Sequence, residues 1–590
     1  MSKNGASSGG NIFLNEGDEL VTKPEDVCNV FNDFYVNVAN DIGKDAGDYL
    51  HDFSDHPSIM AIKENVNIVN NFDFNPVSEE YILKCINDLN SKKSAGYDGV
   101  NAKIVKSCSQ QIAPHITTLV NHYITNKSFP DSLKMANVTP VYKKKDLLDK
   151  ANYRPVSILP CLSKIFERAL SDQLTTYMND IFSNMLSAYR KKHSCQHVLI
   201  DLIEDWKSNL DNKSFVGAVL MDLSKAFDCL PHDLLLAKLK AYGLSDEAAE
   251  TLGSYLSDRL QRVKLGSVFS VWERIIKGVP QGSILGPLLF NIFINDIFYI
   301  LNNSNLKNYA DDNTLSEADT DLESLKTKLS HSSELAIDWF KTNFMQANPE
   351  KFHCIFIGPD RKSIETELSF NGISITSEPE VELLGITIDD KLNFNTHVSN
   401  LVCKAARQLN ALKRIGNFLS QSCRLNIFRT FVLSNFNYCP LVWHFCSAQH
   451  IERLEKVQKR GLQFVFRDYS SDYETLLGKA GLDTLYLSRL KVLACEVYKV
   501  VNNEGPAYLK DVFKLRKTAY ELKGEENLAL ETPTIRTETF GRHSLRALAP
   551  QVWNSIPSNA RWAVTLKEFK TLLGTWSGFQ CKCQMCKAMN

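Results

Sequence analysis

Two adjacent carboxylates near the middle of the chain, Asp311 and Asp312, follow an aromatic and a small residue and precede a short apolar segment. Adjacent aspartates are unfavourable inside helices and strands, whereas the tight turn of a hairpin favours them. A pair of carboxylates held at a turn suits a divalent cation, because Mg²⁺ prefers oxygen ligands together with substrate phosphates. A solvated turn without chemistry is the alternative interpretation, and the rest of the chain decides between the two.

A third carboxylate, Asp222, closes a continuous apolar run over 216–221 that predicts a buried strand. If this strand neighbours the hairpin of Asp311 and Asp312, three carboxylates converge at one edge of a sheet. Clustered acids repel one another, and divalent cations relieve that repulsion. Two metal ions about 4 Å apart stabilise the attacking and leaving oxygens of an in-line phosphoryl displacement, so the pattern favours two-metal nucleotidyl transfer.

The elements around these acids alternate between strands and helices, which predicts an α+β sheet with helices on one face. Ser78 is expected to cap a helix whose first turn carries Glu79 and Glu80. Further helices are predicted at 102–123, 163–178, 288–299 and 321–342, and strands at 138–142, 216–221, 354–357 and 383–388. Basic loops precede the carboxylates, and Lys and Arg are the side chains that bind phosphates.

The formal net charge of −1 hides a strong asymmetry along the 590 residues. Residues 1–90 carry 16 acidic and 5 basic side chains, whereas residues 396–470 carry 11 basic and 3 acidic ones. A local basic excess indicates a polyanionic partner. Within this excess, Lys404, Arg407 and Arg414 have the spacing of one helical face, and Lys413 precedes Arg414.

The composition, 44% hydrophobic and 23% charged, predicts a globular chain of several domains. The polar start and the lack of a long apolar run predict neither a signal peptide nor contact with a membrane. The protein is therefore expected inside the cell, in the nucleus or the cytoplasm, and not secreted. Its 15 cysteines are expected to be reduced thiols.

Two groups of residues have the spacing of metal ligands without a full ligand set. The tail carries three closely spaced thiols, and a structural zinc site normally needs four ligands: Cys581, Cys583 and Cys586. The second group is expected to lie in a loop and at the start of a helix rather than to bind metal: His193, Cys195 and His197.

Several segments resemble, in order, the motifs of reverse transcriptases. Residues 219–228 resemble polymerase motif A, 278–297 motif B and 309–312, with the sequence Tyr-Ala-Asp-Asp, motif C. Further resemblances are to motif D at 348–351, to motif E at 384–397 and to the finger motifs at 93–100 and 152–159. The most similar type is the non-LTR (LINE) retrotransposon enzyme of the jockey or CR1 kind. A lone Tyr-Ala-Asp-Asp would be a weak signal, whereas ordered motifs over 78–398 are specific.

The resemblance implies an α+β fold of the right-hand polymerase type, with fingers, a palm of antiparallel sheet packed on helices, and a helical thumb. The regions expected are an acidic arm at 1–76, fingers at 77–215, a palm at 216–395, a thumb at 396–515 and a C-terminal region at 516–590. The reverse transcriptase domain itself is expected at approximately 124–390.

The resemblance also assigns roles at the catalytic centre. Asp222 and Asp311 would bind two Mg²⁺ ions, which Mn²⁺ could replace, with the Leu223 carbonyl as an added ligand. Asp312 belongs to the same acidic set. Lys351 would protonate the leaving pyrophosphate as a general acid, and a solvated lysine is the alternative.

Further roles concern the substrates, which would be an RNA template, a DNA primer and dNTPs. Phe227 matches a steric gate against the ribose 2′-OH, and an ordinary core aromatic is the alternative. The nucleotide and template pocket is assigned to Gln281 and Gly282, and the triphosphate to Lys143 and Arg154. The backbone of the template–primer is assigned to four cations of the predicted thumb: Lys404, Arg407, Lys413 and Arg414.

The sequence departs from the family pattern in the finger loop and at 188–190 and 194–195, and these departures leave the acids intact. The finger loop reads Ala95-Gly96-Tyr97-Asp98-Gly99 where Pro-Gly-Pro-Asp-Gly is usual. Such elements carry an endonuclease upstream, and the segment before Val77 is too short for one, so an endonuclease acting in trans or a truncated copy is expected. Two alternatives remain: a catalytically inactive, nucleic-acid-binding relic, and an intron-maturase or telomerase-like enzyme, against which the jockey-like C-terminal region argues.

Overall fold

A computed structural model describes residues 12–41, 53–516 and 528–579 of the chain. The cysteines of the tail, at 581–586, lie outside the described residues. The strands of the described part are, in chain order, β1 (Leu14–Glu16), β2 (Glu19–Val21), β3 (Met135–Tyr142), β4 (Tyr153–Ile158), β5 (Phe215–Asp222), β6 (Arg259–Leu265), β7 (Val268–Phe269), β8 (Glu273–Ile275), β9 (Asn305–Tyr309), β10 (Asp312–Asp319), β11 (His353–Ile357), β12 (Glu367–Phe370), β13 (Ile373–Thr376), β14 (Glu380–Leu383) and β15 (Ile386–Asp389).

The helices of the same residues account for most of the remaining regular structure. They are α1 (Pro24–Asp41), α2 (Pro57–Asn65), α3 (Glu79–Asp88), α4 (Ala102–Ser107), α5 (Ser109–Thr125), α6 (Cys161–Met178), α7 (Cys195–Asp211), α8 (His232–Ala241), α9 (Asp246–Leu256), α10 (Leu285–Ile294), α11 (Ile297–Ile300), α12 (Leu322–Thr342), α13 (Asn395–Ile415), α14 (Gln421–Ile427), α15 (Ala448–Phe466), α16 (Tyr473–Ala480), α17 (Leu485–Val501), α18 (Leu509–Val512), α19 (Leu545–Ser555), α20 (Ser558–Arg561) and α21 (Leu566–Leu573). Within the described ranges, none of these helices combines the length and the apolar composition of a membrane span.

The chain forms two compact units, each made of discontinuous stretches. The first contains the described residues up to Tyr189, together with Asp222–Asn303 and Glu334–Pro349. The second contains Arg190–Met221, Ser304–Ser333 and the described residues from Glu350 onwards. The fold is thus mixed α and β, as expected, whereas the division into consecutive arm, finger, palm and thumb regions stays a prediction.

The first unit is built around a five-stranded sheet. Strands run in the order β4-β3-β6-β7, and β8 pairs with β6. Strand β3 is antiparallel to β4 and parallel to β6. Helix α1 packs on β6, β7 and β8, and its Phe31 ring meets the Tyr153 ring edge-on at 5.1 Å between centroids.

The second unit carries a four-stranded sheet in the order β11-β5-β10-β9 and two separate hairpins, β12–β13 and β14–β15. A single hydrophobic core joins α7 and the sheet to the helices from α13 to α21. Trp206, Trp443 and Trp553 are fully buried in it. The sequence predicts mostly helix beyond residue 396, and the described residues there confirm it.

Several predicted elements are confirmed to within a few residues. Helix α12 covers Leu322–Thr342, where 321–342 was expected, and β5 covers Phe215–Asp222 around the expected 216–221. The Ser78 side chain caps α3 by accepting a hydrogen bond from the Tyr81 amide. These elements have strong periodicity or a clear cap, which are local signals.

Three predictions of continuous elements are wrong. The helix expected at 102–123 breaks at Cys108 into α4 and α5, where the Ser107 hydroxyl donates to the Ile104 carbonyl at 2.8 Å and so competes with the helical pattern. The helix expected at 288–299 is divided between α10 and α11. The strand expected at 383–388 is the β14–β15 hairpin, because Leu384 and Gly385 adopt φ values of 47° and 76° and turn the chain.

Candidate active site

The strand that ends in Asp222 lies beside the hairpin that carries the paired aspartates. In the four-stranded sheet, β5 is hydrogen-bonded to β11 on one side and to β10 on the other. Tyr309 pairs with Asp312 in the β9–β10 ladder, so Ala310 and Asp311 form a two-residue turn. The strand neighbourhood on which the three-carboxylate hypothesis depends is therefore present in the sheet.

The turn of the hairpin is held by two buried asparagines. The Asn308 side-chain amide donates to the Ala310 carbonyl at 2.7 Å and to the Asn313 side-chain oxygen at 2.9 Å. In return, the Asn313 amide donates to the Asp311 carbonyl at 3.3 Å. Ala310 adopts a φ of 59°, a left-handed conformation that costs a non-glycine residue free energy. These bonds stabilise it and fix the backbone of Asp311.

The segment after Asp222 pairs with residues 346–348. The Asn348 amide donates to the Asp222 carbonyl at 3.2 Å, and the Ser224 amide donates to the Gln346 carbonyl at 2.9 Å. Leu223 lies opposite Ala347 between these two bonds, so this pairing does not use the Leu223 carbonyl. That carbonyl is the backbone atom to which the resemblance assigned a metal-binding role, and this role stays a prediction.

Lys351 ends a short 3-10 helix, Pro349–Lys351, that leads from this paired segment into β11. Its side chain is exposed. Strand β11 is antiparallel to β5, and His353 pairs with Leu220 two residues before Asp222. The chain position of Lys351 is thus close to the end of β5, while its role as a general acid stays a prediction.

The loop before α10 is anchored on the chain that follows Asp222. The Gln281 amide donates to both carboxylate oxygens of Asp228, at 2.8 and 2.9 Å. The Gln281 carbonyl accepts from the Ser157 amide at 2.9 Å. Gly282 has a φ of 138°, and a Cβ there would lie 2.4 Å from the Ser157 carbonyl oxygen, so no larger residue fits. Sequence reasoning assigned Gln281 and Gly282 to the substrate pocket but missed Asp228 as the anchor.

Two further side chains position this loop, and the sequence analysis missed both. His232 Nε2 donates to the Gly278 carbonyl at 2.7 Å, and burial lowers the pKa of His232, which keeps the ring neutral. The buried Glu167 carboxylate accepts from the Ile284 and Leu285 amides at 2.5 and 3.2 Å, at the start of α10. A carboxylate at a helix N-terminus is stabilised by the unpaired amides and the helix dipole.

Phe227 has a fixed ring. It stacks on Phe290 with centroids 4.4 Å apart, and it meets the Tyr189 ring edge-on at 6.0 Å. Phe290 is fully buried and Tyr189 is exposed. Phe227 thus packs on the core through one face while remaining half-buried, an arrangement that fits both the gate and the core-aromatic interpretation.

Lys143 and Arg154 lie on one face of the β3–β4 hairpin. Val141 pairs with Arg154, and the Lys143 amide continues the ladder by donating to the Asn152 carbonyl at 2.8 Å. Residues two apart on a strand share a face, so the two cations are diagonal neighbours. Both side chains are exposed. The structure therefore brings this predicted pair together.

The four predicted backbone-binding cations are exposed residues of α13. The opposite side of the helix is buried through Val398, Val402, Ala405, Leu409 and Leu412. At about 100° per residue, Lys404, Arg407 and Arg414 point away from this buried stripe, and Lys413 lies on its flank. Three of the four cations therefore share a face, as predicted.

The second group with the spacing of metal ligands, His193, Cys195 and His197, has a structural explanation. Cys195 is the first residue of α7, Ser194 caps that helix, and His197 Nε2 lies 2.8 Å from a Glu496 carboxylate oxygen. These residues form a helix start, as predicted. In the described part of the chain, no group of three or more His, Cys, Asp and Glu side chains is gathered as a metal site. The predicted convergence of Asp222, Asp311 and Asp312 is therefore not found as such a group, whereas a magnesium ion needs only one or two carboxylates besides water and phosphate oxygens.

Comparison with known proteins assigns the region around these residues. Residues 142–388 match the reverse transcriptase (RNA-dependent DNA polymerase) family. These residues form a reverse transcriptase domain. The matched range contains β5, the β9–β10 hairpin and the loop before α10, and it lies within the expected 124–390.

The relatives of this reverse transcriptase domain come from non-LTR retrotransposons. The chain is 26% identical over 417 residues to the probable RNA-directed DNA polymerase from transposon BS of Drosophila melanogaster, covering 66% of this chain and 44% of that protein. It is 25% identical over 401 residues to the RNA-directed DNA polymerase from mobile element jockey of the same species, covering 66% and 43%. The chain thus spans less than half the length of these relatives.

The family assignment sets the chemistry of the domain in coarse terms. Reverse transcriptases use divalent metal ions, an RNA template, a primer and nucleotides. The donor set at the end of β5 and at the β9–β10 turn consists of carboxylate and carbonyl oxygens, which are the ligands that hard divalent cations prefer. The residues present therefore fit the metal that the family implies.

Proposed function

We propose that the chain is an RNA-directed DNA polymerase that adds dNMP units to the 3′-OH of a DNA primer on an RNA template. The observation that carries the proposal is the neighbourhood of two strands: β5, which Asp222 closes, is hydrogen-bonded to β10, the strand that follows the turn of Asp311 and begins at Asp312. The match of residues 142–388 to reverse transcriptases supports it.

In this proposal Asp222 and Asp311 hold two Mg²⁺ ions, with the Leu223 carbonyl as an added ligand. When bound, the ions lower the barrier to in-line attack by neutralising charge on the phosphoryl oxygens. Asp312 adds negative charge beside Asp311. The Asn308 and Asn313 side chains keep the turn rigid, so the Asp311 carboxylate is presented without reorganisation.

The nucleotide is bound by residues of three elements. Lys143 and Arg154 on the β3–β4 hairpin bind the triphosphate, because exposed cations on one face attract clustered phosphates. Phe227 excludes the ribose 2′-OH with a ring that its stack on Phe290 holds still. Gln281 and Gly282 line the pocket for nucleotide and template, and Lys351 protonates the leaving pyrophosphate.

The fold that serves this function is that of a right-hand polymerase, with fingers, palm and thumb. The four-stranded sheet serves as the palm, because it carries the proposed catalytic aspartates. Helix α13 serves as part of the thumb, and its exposed cations bind the template–primer backbone without reading sequence.

Primer extension by the purified chain tests the proposal. We expect dNTP incorporation on a primed RNA that needs Mg²⁺, is supported by Mn²⁺ and stops when the ions are chelated. The same primer on a DNA template measures template preference. An RNA-binding chain that incorporates no nucleotide under any of these conditions contradicts the proposal and favours an inactive relic.

A further inference from the structure

Two aromatic side chains, one just after α13 and one just after α15, are highly exposed. Phe418 is 90% exposed and Tyr469 is 68% exposed, and Ile415, three residues before Phe418, is 51% exposed. A single exposed apolar side chain is ordinary at a protein surface, whereas a group of them marks a binding surface. Neither aromatic was assigned a role from the sequence.

Hydrogen bonds join the segments that carry Phe418 and Tyr469. The buried Arg424 guanidinium donates to the Val465 carbonyl through Nε and Nη2, at 3.0 and 2.8 Å, and to the Leu419 carbonyl through Nη1 at 2.9 Å. Arg467 Nη2 adds a bond of 3.4 Å to the Asn417 side-chain oxygen. The 3-10 helix Gly416–Phe418 and the C-terminal end of α15, three residues before Tyr469, are therefore held together as one platform.

The platform carries positive charge. Lys413 and Arg414 lie in the last turn of α13, and exposed Arg467 ends α15. The nearest acid along the chain, Asp468, is ion-paired with Lys479 at 2.6 Å, so it offsets little of this charge. Cations interleaved with exposed aromatics are typical of surfaces that bind single-stranded nucleic acid: the cations contact phosphates while bases stack on the rings.

We infer that Phe418 and Tyr469 form a stacking platform for unpaired bases of the RNA template, with Arg414 and Arg467 binding the flanking phosphates. The inference rests on the proposed function for the identity of the strand. Bases of a duplex are already stacked on each other and leave no face for these rings, so the platform selects unpaired nucleotides. A cationic rim excludes a basic protein surface as the occupant.

Fluorescence anisotropy with the full chain tests this inference, using a labelled unstructured RNA oligonucleotide and a duplex of equal length. The double variant Phe418→Ala/Tyr469→Ala is expected to bind the single strand at least about tenfold more weakly, with little change for the duplex. The single-strand affinity of the double variant should depend on salt concentration as steeply as that of the unmodified chain. Arg414→Ala and Arg467→Ala should each reduce the slope of log affinity against log salt concentration by about one. Phe431→Ala is the matched control, because Phe431 is 50% exposed in the same unit.

The outcomes separate this inference from the proposed function. Unchanged single-strand affinity of the double variant, or an equal loss on the duplex, overturns the inference. Loss of self-association in sedimentation, with RNA affinity intact, overturns it in favour of a second copy of the chain. Single-strand affinity that Phe418→Trp retains, although Phe418→Ala/Tyr469→Ala loses it, supports stacking. Failure of primer extension, with aromatic-dependent RNA binding retained, counts against the proposed function alone.

Discussion

The side-chain nitrogen of Gln281 lies 2.8 and 2.9 Å from the two carboxylate oxygens of Asp228. An ionised carboxylate only accepts hydrogen bonds, so it fixes which end of the Gln281 amide faces it. The amide oxygen must then point elsewhere and can only accept. Asp228 is thus a positioning residue that sets the hydrogen-bonding character of Gln281 in the proposed pocket.

Replacement of Asp228 by Asn should raise the KM for dNTPs by about 10- to 100-fold, since hydrogen bonds to charged groups contribute roughly 1.5–3 kcal/mol. The asparagine has the same shape but lets the Gln281 amide flip, so KM should change more than kcat. Steady-state primer extension measures both. Asp233→Asn, at an exposed position in the first turn of α8, is the control and should leave KM unchanged. A normal KM for the Asp228 variant would refute the positioning role.

The buried Asn308 should contribute to stability as well as to activity. Asn308→Ala removes the bonds to the Ala310 carbonyl and the Asn313 side chain, and the free energy of unfolding should fall by about 1–3 kcal/mol. Denaturant unfolding measures the change, with exposed Asn302→Ala as the control. Primer extension should fall as well, because the turn of Asp311 loses its support. A fully active and equally stable variant would contradict this view of the turn.

Shortening Phe227 should open the sugar pocket. Phe227→Val is expected to improve rNTP use relative to dNTP use by about 10- to 200-fold, the range that small steric differences in a pocket supply. Phe227→Tyr keeps the ring on Phe290 and should retain discrimination. Competition between rNTPs and dNTPs on one primed template gives the ratio. The same rejection of rNTPs by the valine variant would leave Phe227 as a core aromatic.

His397 should make stability depend on pH. Burial lowers the pKa of His397 from 6.5 to about 4, and its Nδ1 accepts from the Thr387 amide at 3.3 Å, so the ring is neutral in the folded chain. The unfolded chain binds the proton first as pH falls, so this contribution is complete above about 6.5 and is lost between about 6.5 and 4, by up to about 3 kcal/mol. His397→Gln keeps an acceptor and should flatten the pH dependence of the free energy of unfolding in that window. An unchanged pH profile would contradict the assignment.

The sequence predicts well where the signal is local. The extent of α12, the Ser78 cap and the strand that ends in Asp222 follow from periodicity and capping residues. The hairpin at Asp311 follows from the preference of aspartate for turns.

The elements that the sequence does not predict depend on contacts between distant parts of the chain. Gln281 and Asp228 are 53 residues apart, and Glu167 caps a helix that begins more than a hundred residues later. Leu384 adopts a φ of 47°, a conformation that its residue type disfavours, so the turn inside 383–388 gives little local signal. The break at Cys108 likewise depends on a side-chain hydrogen bond that periodicity does not register.

The central claim is that Asp222 and Asp311 together hold the metal ions of nucleotidyl transfer, and single-turnover primer extension on a primed RNA tests it most directly. Asp222→Asn and Asp311→Asn should each lower the rate of dNMP addition by at least about a thousandfold, and the double variant should be no worse than either, because the two residues act as one unit. Template–primer binding should persist in all three variants, and Asp360→Asn, at an exposed aspartate, should be fully active. Addition at the unmodified rate by either single variant would contradict the claim.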